Sequence, residues 1–211
     1  MNTPGWDDPF VSSTPIDDEF AQLIEALRDV QEAITRSHPT ASGAAAAAES
    51  LRTVAAGMRD FEVGEDEQVS GKRWDLPGSG RALGPPLYLD TVTENTAAGR
   101  VTVGRFHSGR YALNGGITPL VFDEIMARLA NSSGRPWART AYLNVNFRAP
   151  APLHAELSVT AELVSQEGRK RLVRGAIHHG DVLVADAEGL WVELKPEQTQ
   201  NVSNITEVGG R

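Results

Sequence analysis

The sequence contains no cysteine among its 211 residues, and aromatic residues make up only 6% of the chain. Without cysteine, disulfide bonds, thiolate metal ligands and a cysteine nucleophile are all excluded. Basic residues are also in the minority, with 20 lysines and arginines against 28 aspartates and glutamates. The resulting net charge of −8 is unlike the basic surface of a general nucleic-acid binder. We therefore expect no nucleic-acid partner.

Long hydrophobic runs are also missing, since no apolar stretch approaches the roughly 18 residues that cross a bilayer. The N-terminus, MNTPGWDDPF, is acidic and lacks the basic-then-apolar pattern of a signal peptide. These features predict a cytoplasmic protein with no membrane partner. His178 and His179, beside a predicted hairpin turn, lack the spaced partners of a metal site. We therefore expect neither a metal nor another cofactor.

The first third of the chain is predicted to be helical. Apolar residues at helical spacing predict a helix from about Pro15 to Arg36, with Thr14 as its N-cap. An alanine-rich stretch predicts a second helix at 42–58. Glycine, proline and charged residues dominate 64–86, which indicates a linker. The predicted organisation is a helical extension at 1–63, a linker at 64–86, a main domain at 87–196 and a disordered tail at 197–211.

The main domain changes to the two-residue period that is typical of strands. Two strands are predicted first, at 87–93 and 100–106, with a turn at 96–99 between them. A helix follows at about 117–131, and four more strands are predicted at 138–147, 155–164, 170–177 and 182–194. This order indicates an α+β fold, in which a long, curved, mostly antiparallel six-stranded sheet wraps around one long helix.

Two adjacent carboxylates on the predicted central helix differ in their surroundings. On a helical wheel, Glu124 and Arg128 form an acid-then-base pair, which we expect to be solvated. Asp123 falls instead among apolar and small residues. A carboxylate buried there has to be hydrogen-bonded, paired or protonated, and burial raises its pKa toward that of a working acid or base. The alternative is an interface residue that accepts a hydrogen bond from a neighbouring chain.

A glycine pair, Gly115 and Gly116, opens the same helix. The first turn of a helix has free N–H groups, and glycine lets a ligand oxygen approach them closely. Such donors stabilise a developing oxyanion. The alternative is a turn that only steers the chain into the helix, because two adjacent glycines are a weak signal.

Together these residues resemble the hotdog-fold acyl-CoA thioesterases, in particular the PaaI-like family. That family has a His-Gly-Gly motif followed by an acid nine residues after the histidine, and here Asn114, Gly115 and Gly116 precede Asp123 at that spacing. The stretch TAYLNVNFRAPAPL, which begins at Thr140, is similar to the family's next strand. The resemblance covers about 87–194. It implies a hotdog domain that hydrolyses acyl-CoA thioesters without metal or organic cofactor.

The resemblance also implies a role for each site residue. The amide of Gly115 or Gly116 is expected to polarise the thioester carbonyl. Asp123, from the partner subunit, is expected to attack that carbonyl or to activate a water. Thr140 matches a residue that positions the water or intermediate, although an ordinary strand residue is the alternative. A homodimer or a dimer of dimers, with active sites at the subunit interface, is expected.

Departures from the family pattern leave other functions open. Asn114 replaces the motif histidine, and asparagine exchanges no proton near neutral pH. A non-catalytic acyl-CoA or acyl-carrier binding protein is therefore the alternative function. Ser108 stands where some relatives have asparagine, and His107 beside it is a second polar candidate, with a structural histidine as its alternative. A hotdog hydratase ranks last, because its closely spaced Asp–His pair is missing.

Arg148 is the basic residue with the best case for binding the CoA phosphates, since arginine geometry suits phosphate. Arg171, in a predicted hairpin, is expected to be solvated. The apolar faces of the two extension helices have to be covered. The acyl pocket, the central helix and another subunit are the three candidates for covering them.

Overall fold

A computed structural model describes residues 17–64 and 67–195 of the chain. The predicted helix cap at Thr14 and the predicted disordered tail lie outside these residues. In chain order the elements are helices α1 (Asp17–Arg36) and α2 (Ala41–Met58), strands β1 (Leu87–Val92) and β2 (Thr96–Thr102), helix α3 (Thr118–Ala130), and strands β3 (Ala138–Phe147), β4 (Glu156–Glu167), β5 (Lys170–His179) and β6 (Val182–Glu193). Short 3-10 turns lie at Arg59–Phe61, Pro77–Gly80 and Arg105–His107.

The six strands form one antiparallel sheet in the order β1-β2-β4-β5-β6-β3, and α3 packs against it. The sheet residues that face the helix alternate with exposed ones, as in β4, where Leu157 and Val159 are buried and their neighbours are not. Gly175 on β5 lets the helix approach closely, because an added Cβ would lie 2.9 Å from the Phe122 ring. The structure confirms the predicted α+β hotdog fold.

Strand β2 begins earlier than predicted, so the predicted turn at 96–99 and the predicted strand at 100–106 are wrong. The turn lies before residue 96, where the Thr93 hydroxyl accepts hydrogen bonds from the N–H groups of Asn95 (3.3 Å) and Thr96 (3.0 Å). Gly99, which suggested a turn, lies inside the strand. A Cβ there would be 2.3 Å from the Tyr88 carbonyl oxygen, so close strand packing requires glycine.

Arg128 is not solvated as predicted, since its side chain is only 2% exposed. Its guanidinium donates hydrogen bonds to Glu124 (2.8 Å), to the Ser79 hydroxyl (3.1 Å) and to the Trp74 carbonyl, and it lies 4.4 Å from the centre of the Trp74 ring. The Ser79 hydroxyl in turn donates to Glu124 at 2.9 Å. The segment predicted as a linker therefore covers the polar side of α3.

Arg171, also expected in solvent, is completely buried. Its Nη1 donates hydrogen bonds to the carbonyls of Ala130 (2.9 Å) and Pro136 (2.7 Å). Because Ala130 is the last residue of α3, this arginine satisfies a free carbonyl at the negative end of the helix. Arg171 thus stabilises the junction between α3 and β3.

Candidate active site

Asp123 and Thr140 lie together where α3 packs on β3. The Thr140 hydroxyl donates a hydrogen bond to Asp123 Oδ1 at 2.8 Å. Burial has the largest influence on the pKa of Asp123 and raises it, the Thr140 hydrogen bond lowers it, and the charge of Glu124 raises it further. The result is a pKa above the ordinary aspartate value. Such a carboxylate accepts a proton more readily than a solvated one, as a general base must.

Strand β3, which carries Thr140, forms one edge of the sheet and pairs only with β6 among the described strands. Most of its side chains are exposed, including Tyr142 at 39% and Phe147 at 59%. An edge strand presents unpaired backbone N–H and C=O groups that pair readily with another strand. The Asp123–Thr140 pair therefore lies beside a surface suited to a second subunit.

Asn114 shapes the entrance of α3. Its side-chain Oδ1 accepts the Gly116 N–H at 2.8 Å, and its backbone N–H donates to the His107 carbonyl at 2.9 Å. The Gly116 amide is therefore already occupied. Within residues 17–64 and 67–195, the Gly115 N–H has no hydrogen-bond acceptor. Of the two exposed glycines, Gly115 presents the free donor.

Gly115 lines a groove of about 380 Å³ that is also lined by Phe147, Arg148 and Val184 near the start of β6. An added Cβ on Gly115 would lie 3.5 Å from the Phe147 ring, so the glycine keeps this side of the groove open. Phe147 is a candidate site residue that the sequence did not single out. An aromatic side chain at the end of an amphipathic strand was the available signal.

Arg148 is exposed, but it is already engaged. Its Nε donates a hydrogen bond to Asp186 on β6, and Asn146 donates to the other oxygen of the same carboxylate at 2.8 Å. The Asp186 hydrogen bond and charge raise the pKa of Arg148. The positive charge at the groove is thus partly balanced. No sequence pattern pointed to Asp186, because the β3–β6 pairing brings it close from 38 residues away.

The two polar candidates before the helix are held within their own loop. The His107 side chain is 7% exposed, burial lowers its pKa, and its Nε2 has no hydrogen-bond partner in the described part of the chain. The Ser108 hydroxyl accepts the Arg110 N–H at 3.0 Å and donates to the Ala112 carbonyl at 3.4 Å. His107 and Ser108 therefore shape the loop that leads into Asn114.

Two further properties concern only residues 17–64 and 67–195. No group of three or more histidine, aspartate or glutamate side chains is arranged there to hold a metal ion. No helix in those ranges combines the length and the apolar character needed to cross a membrane.

Comparison with known proteins addresses the family of the main domain. Residues 112–186 match the model of the thioesterase superfamily. This part of the hotdog domain is therefore similar to that superfamily. The crystal structure of a thioesterase superfamily protein superposes on this chain with a TM-score of 0.73 at 26% identity, covering 87% of this chain and 95% of the other. That superposition has to include part of the first 63 residues, because the rest of the chain is too short to supply it.

Two mammalian proteins are also similar to this chain. Acyl-coenzyme A thioesterase THEM4 of Bos taurus is 29% identical over 148 residues, which cover 66% of this chain and 59% of the bovine protein. THEM4 of Mus musculus is 31% identical over 105 residues, covering 46% of this chain and 45% of the mouse protein. The chain therefore matches less than two thirds of the length of either relative. The resemblance to hotdog acyl-CoA thioesterases is confirmed.

Proposed function

We propose that this protein is an acyl-CoA thioesterase, which hydrolyses an acyl thioester to the free acid and CoA. The Asp123–Thr140 hydrogen bond carries the proposal, because it orients a half-buried carboxylate beside the exposed edge strand. The match of residues 112–186 to the thioesterase superfamily and the similarity to acyl-coenzyme A thioesterases support the substrate class.

Asp123 acts as the base or the nucleophile. As a base, its carboxylate takes a proton from a water molecule while the water oxygen bonds to the carbonyl carbon. The tetrahedral intermediate then collapses, the C–S bond breaks and the proton passes to the CoA sulfur. As a nucleophile, a carboxylate oxygen attacks the carbonyl carbon, and the C–S bond breaks as CoA leaves as a thiolate, so that a mixed anhydride forms. Water then hydrolyses the anhydride to the free acid and the regenerated Asp123 carboxylate, and the released proton goes to the CoA sulfur. In both routes the Thr140 hydroxyl orients Asp123 and keeps more of it ionised, since its hydrogen bond lowers the pKa.

The Gly115 amide donates to the carbonyl oxygen, where negative charge develops. The engagement of the Gly116 N–H by Asn114 supports this choice of donor. Asn114 then shapes the turn through its side-chain oxygen, a task that requires no proton exchange. The replacement of the motif histidine by Asn114 is therefore compatible with catalysis.

The active site is completed by a second subunit. Gly115 and Asp123 are eight residues apart along a mostly helical stretch, which separates them by roughly 10 Å along its axis. Both groups have to come within about 3 Å of one small carbonyl group. Pairing of two β3 edges would bring Gly115 of one subunit toward Asp123 of the other. The dimer, its possible pairing into a tetramer and a cytoplasmic location stay predictions.

The groove beside Gly115 is the proposed entry for the pantetheine arm of CoA. Phe147 and Arg148 line it, and Arg148 is ion-paired with Asp186. The pair presents a guanidinium whose fork is only partly used, and that fork suits a phosphate oxygen. Arg148 is therefore the proposed phosphate contact.

Hydrolysis of a panel of acyl-CoAs by the wild type and Asp123→Asn tests the proposal. We expect kcat to fall by about 100-fold or more in the variant, because the lost group is the base or nucleophile. Asp90→Asn is the matched control, since it makes the same chemical change at an exposed ion pair on β1 and should leave kcat unchanged. Equal rates for the wild type and Asp123→Asn would overturn the mechanism.

A non-catalytic acyl-CoA or acyl-carrier binding protein is the second candidate, and Asn114 in the histidine position favours it. Tight acyl-CoA binding without turnover at any chain length would support this alternative. Appearance of turnover in Asn114→His, with none in the wild type, would establish that proton exchange at position 114 is the missing step. Turnover by the wild type that depends on Asp123 would exclude a purely binding role.

A further inference from the structure

Helix α1 reaches the loop before α3 through one carboxylate. Glu32 Oε1 accepts the Arg105 N–H at 3.1 Å, and Oε2 accepts the Phe106 N–H at 2.9 Å. These N–H groups open the 3-10 turn Arg105–His107, and the first N–H groups of a helical turn have no partner inside it. No local side chain caps this turn. Glu32, more than 70 residues earlier in the chain, supplies the cap.

Gly104 makes room for this carboxylate. An added Cβ at Gly104 would lie 2.5 Å from Glu32 Oε2, closer than any real contact. Its backbone angles, φ −91° and ψ −171°, are open to any residue, so the backbone itself does not require glycine here. A side chain at position 104 would therefore displace the Glu32 carboxylate from the turn.

Glu32 binds the turn as an anion. Partial burial raises its pKa, but the Phe106 and Arg105 N–H groups lower it, and the net pKa lies below the ordinary glutamate value. The carboxylate is thus ionised at neutral pH. Hydrogen bonds to an ionised acceptor are roughly twice as strong as neutral ones, so the two contacts hold the turn firmly.

The turn that Glu32 caps leads directly to the glycine pair. The His107 carbonyl accepts the Asn114 N–H at 2.9 Å, and Asn114 Oδ1 holds the Gly116 N–H at 2.8 Å. Between them, Arg110 and Tyr111 have positive φ values of 75° and 73°, a conformation that non-glycine residues rarely adopt without outside support. The position of the Gly115 amide therefore depends in part on what anchors the start of the loop.

We propose that Glu32 is a positioning residue that sets the direction of the Gly115 amide through the turn Arg105–His107 and Asn114. The N-terminal extension then helps to build the oxyanion site, in addition to packing against the domain. That the amide faces a thioester rests on the proposed function, whereas the anchoring of the loop does not.

A second contact keeps α1 in place without Glu32. Arg28, which is 9% exposed, donates hydrogen bonds to the carbonyls of Pro77 (3.0 Å) and Arg81 (2.6 Å). Phe20 packs at the same turn, 3.1 Å from the position of a Cβ on Gly80. Loss of the Glu32 carboxylate should therefore release the loop without detaching the helix, and Glu32 variants are expected to fold.

Hydrogen–deuterium exchange tests the anchoring directly in the full-length protein. In Glu32→Ala we expect exchange in 104–117 to become about tenfold faster, because two charge-assisted hydrogen bonds are lost, while β4, β5 and β6 stay as protected as in the wild type. Glu32→Gln keeps one acceptor oxygen, so its exchange rate in 104–117 should fall between those of the wild type and Glu32→Ala. The control is Asp29→Ala, an exposed acid one turn earlier on α1, which should leave exchange unchanged.

Kinetics then tests the link to catalysis. We expect Glu32→Ala to lower kcat about tenfold with little change in KM, since a donor aligned with the transition state is misplaced. Asp29→Ala should match the wild type. Wild-type exchange at 104–117 in Glu32→Ala, or an equal increase throughout the protein, would overturn the inference. If the wild type hydrolyses no acyl-CoA, the proposed function fails, and the exchange data still decide whether Glu32 anchors the loop.

Discussion

Asp123 and Glu124 are neighbours on α3 with the same functional group, yet they face opposite surroundings. Glu124 accepts hydrogen bonds from the buried Arg128 guanidinium and from the Ser79 hydroxyl. Asp123 accepts one from the Thr140 hydroxyl, and no cation pairs with it among the described residues. One carboxylate is therefore neutralised by a partner charge, and the other is left with a raised pKa at an open edge of the sheet.

The difference shows how one helix serves two purposes. The side that carries Glu124 is sealed by the segment around Trp74 and Ser79, so its charges hold that segment on the domain. The side that carries Asp123 meets an edge strand, where another molecule can approach. A charge that is balanced contributes to stability, whereas an unbalanced, partly buried charge is available for chemistry at some cost in stability.

Removal of the guanidinium that balances Glu124 should have the largest effect. Arg128→Leu is expected to lower the free energy of unfolding by about 3 kcal/mol or more, because it breaks a buried, multiply bonded ion pair. Urea denaturation of the full chain measures this loss. The control is Arg52→Ala, whose ion pair with Glu49 is about three-quarters exposed on both sides and should change stability by less than about 0.5 kcal/mol. Similar losses for the two variants would show that the Glu124 side contributes little to stability.

Loss of the Thr140 hydroxyl should lower the rate of hydrolysis and change its dependence on pH. Thr140→Val keeps the shape of the side chain but removes the donor to Asp123, so we expect kcat to fall about tenfold. Because this hydrogen bond lowers the pKa of Asp123, the acidic limb of the pH–rate profile should also move to higher pH. Thr140→Ser retains the hydroxyl and should keep the wild-type inflection. An unchanged profile in Thr140→Val would separate Thr140 from the ionisation of Asp123.

The smallest expected effect is on thermal stability, where removing the charge of Asp123 and removing the charge of Glu124 should shift Tm in opposite directions. The pKa of Asp123 is raised in the folded state, so folding favours the protonated carboxyl. The loss of stability begins as the pH rises through the unfolded pKa of about 3.9, and it is complete once the pH exceeds the folded pKa. Asp123→Asn should therefore raise Tm at pH 7, and the gain should disappear below about pH 4. Glu124→Gln should instead lower Tm at pH 7, since it weakens the pair with Arg128. Thermal denaturation across this pH range measures both, and a lower Tm for Asp123→Asn would contradict the assignment.

Local sequence patterns predicted most of the elements correctly. β3 has its predicted bounds, and α3 lies within one residue of them, because apolar periodicity and nearby glycine and proline are local properties. The predicted start of β2 was wrong for a tertiary reason, because Gly99 lets the strand approach Tyr88 closely and does not form a turn. The predicted solvent exposure of Arg128 and Arg171 was wrong for a similar reason. Their partners lie about 35 to 54 residues away in the chain, beyond the reach of a helical wheel or a hairpin pattern.

The sequence by itself determined the α+β fold and the positions of Asp123, Thr140 and the glycine pair, because periodicity and motif spacing are written along the chain. Only the tertiary structure decided which glycine amide is free, which carboxylate has a cation beside it and that Glu32 reaches the loop before α3. These properties depend on hydrogen bonds a few ångströms long between distant segments. Such contacts exist only after burial of the core has brought those segments together.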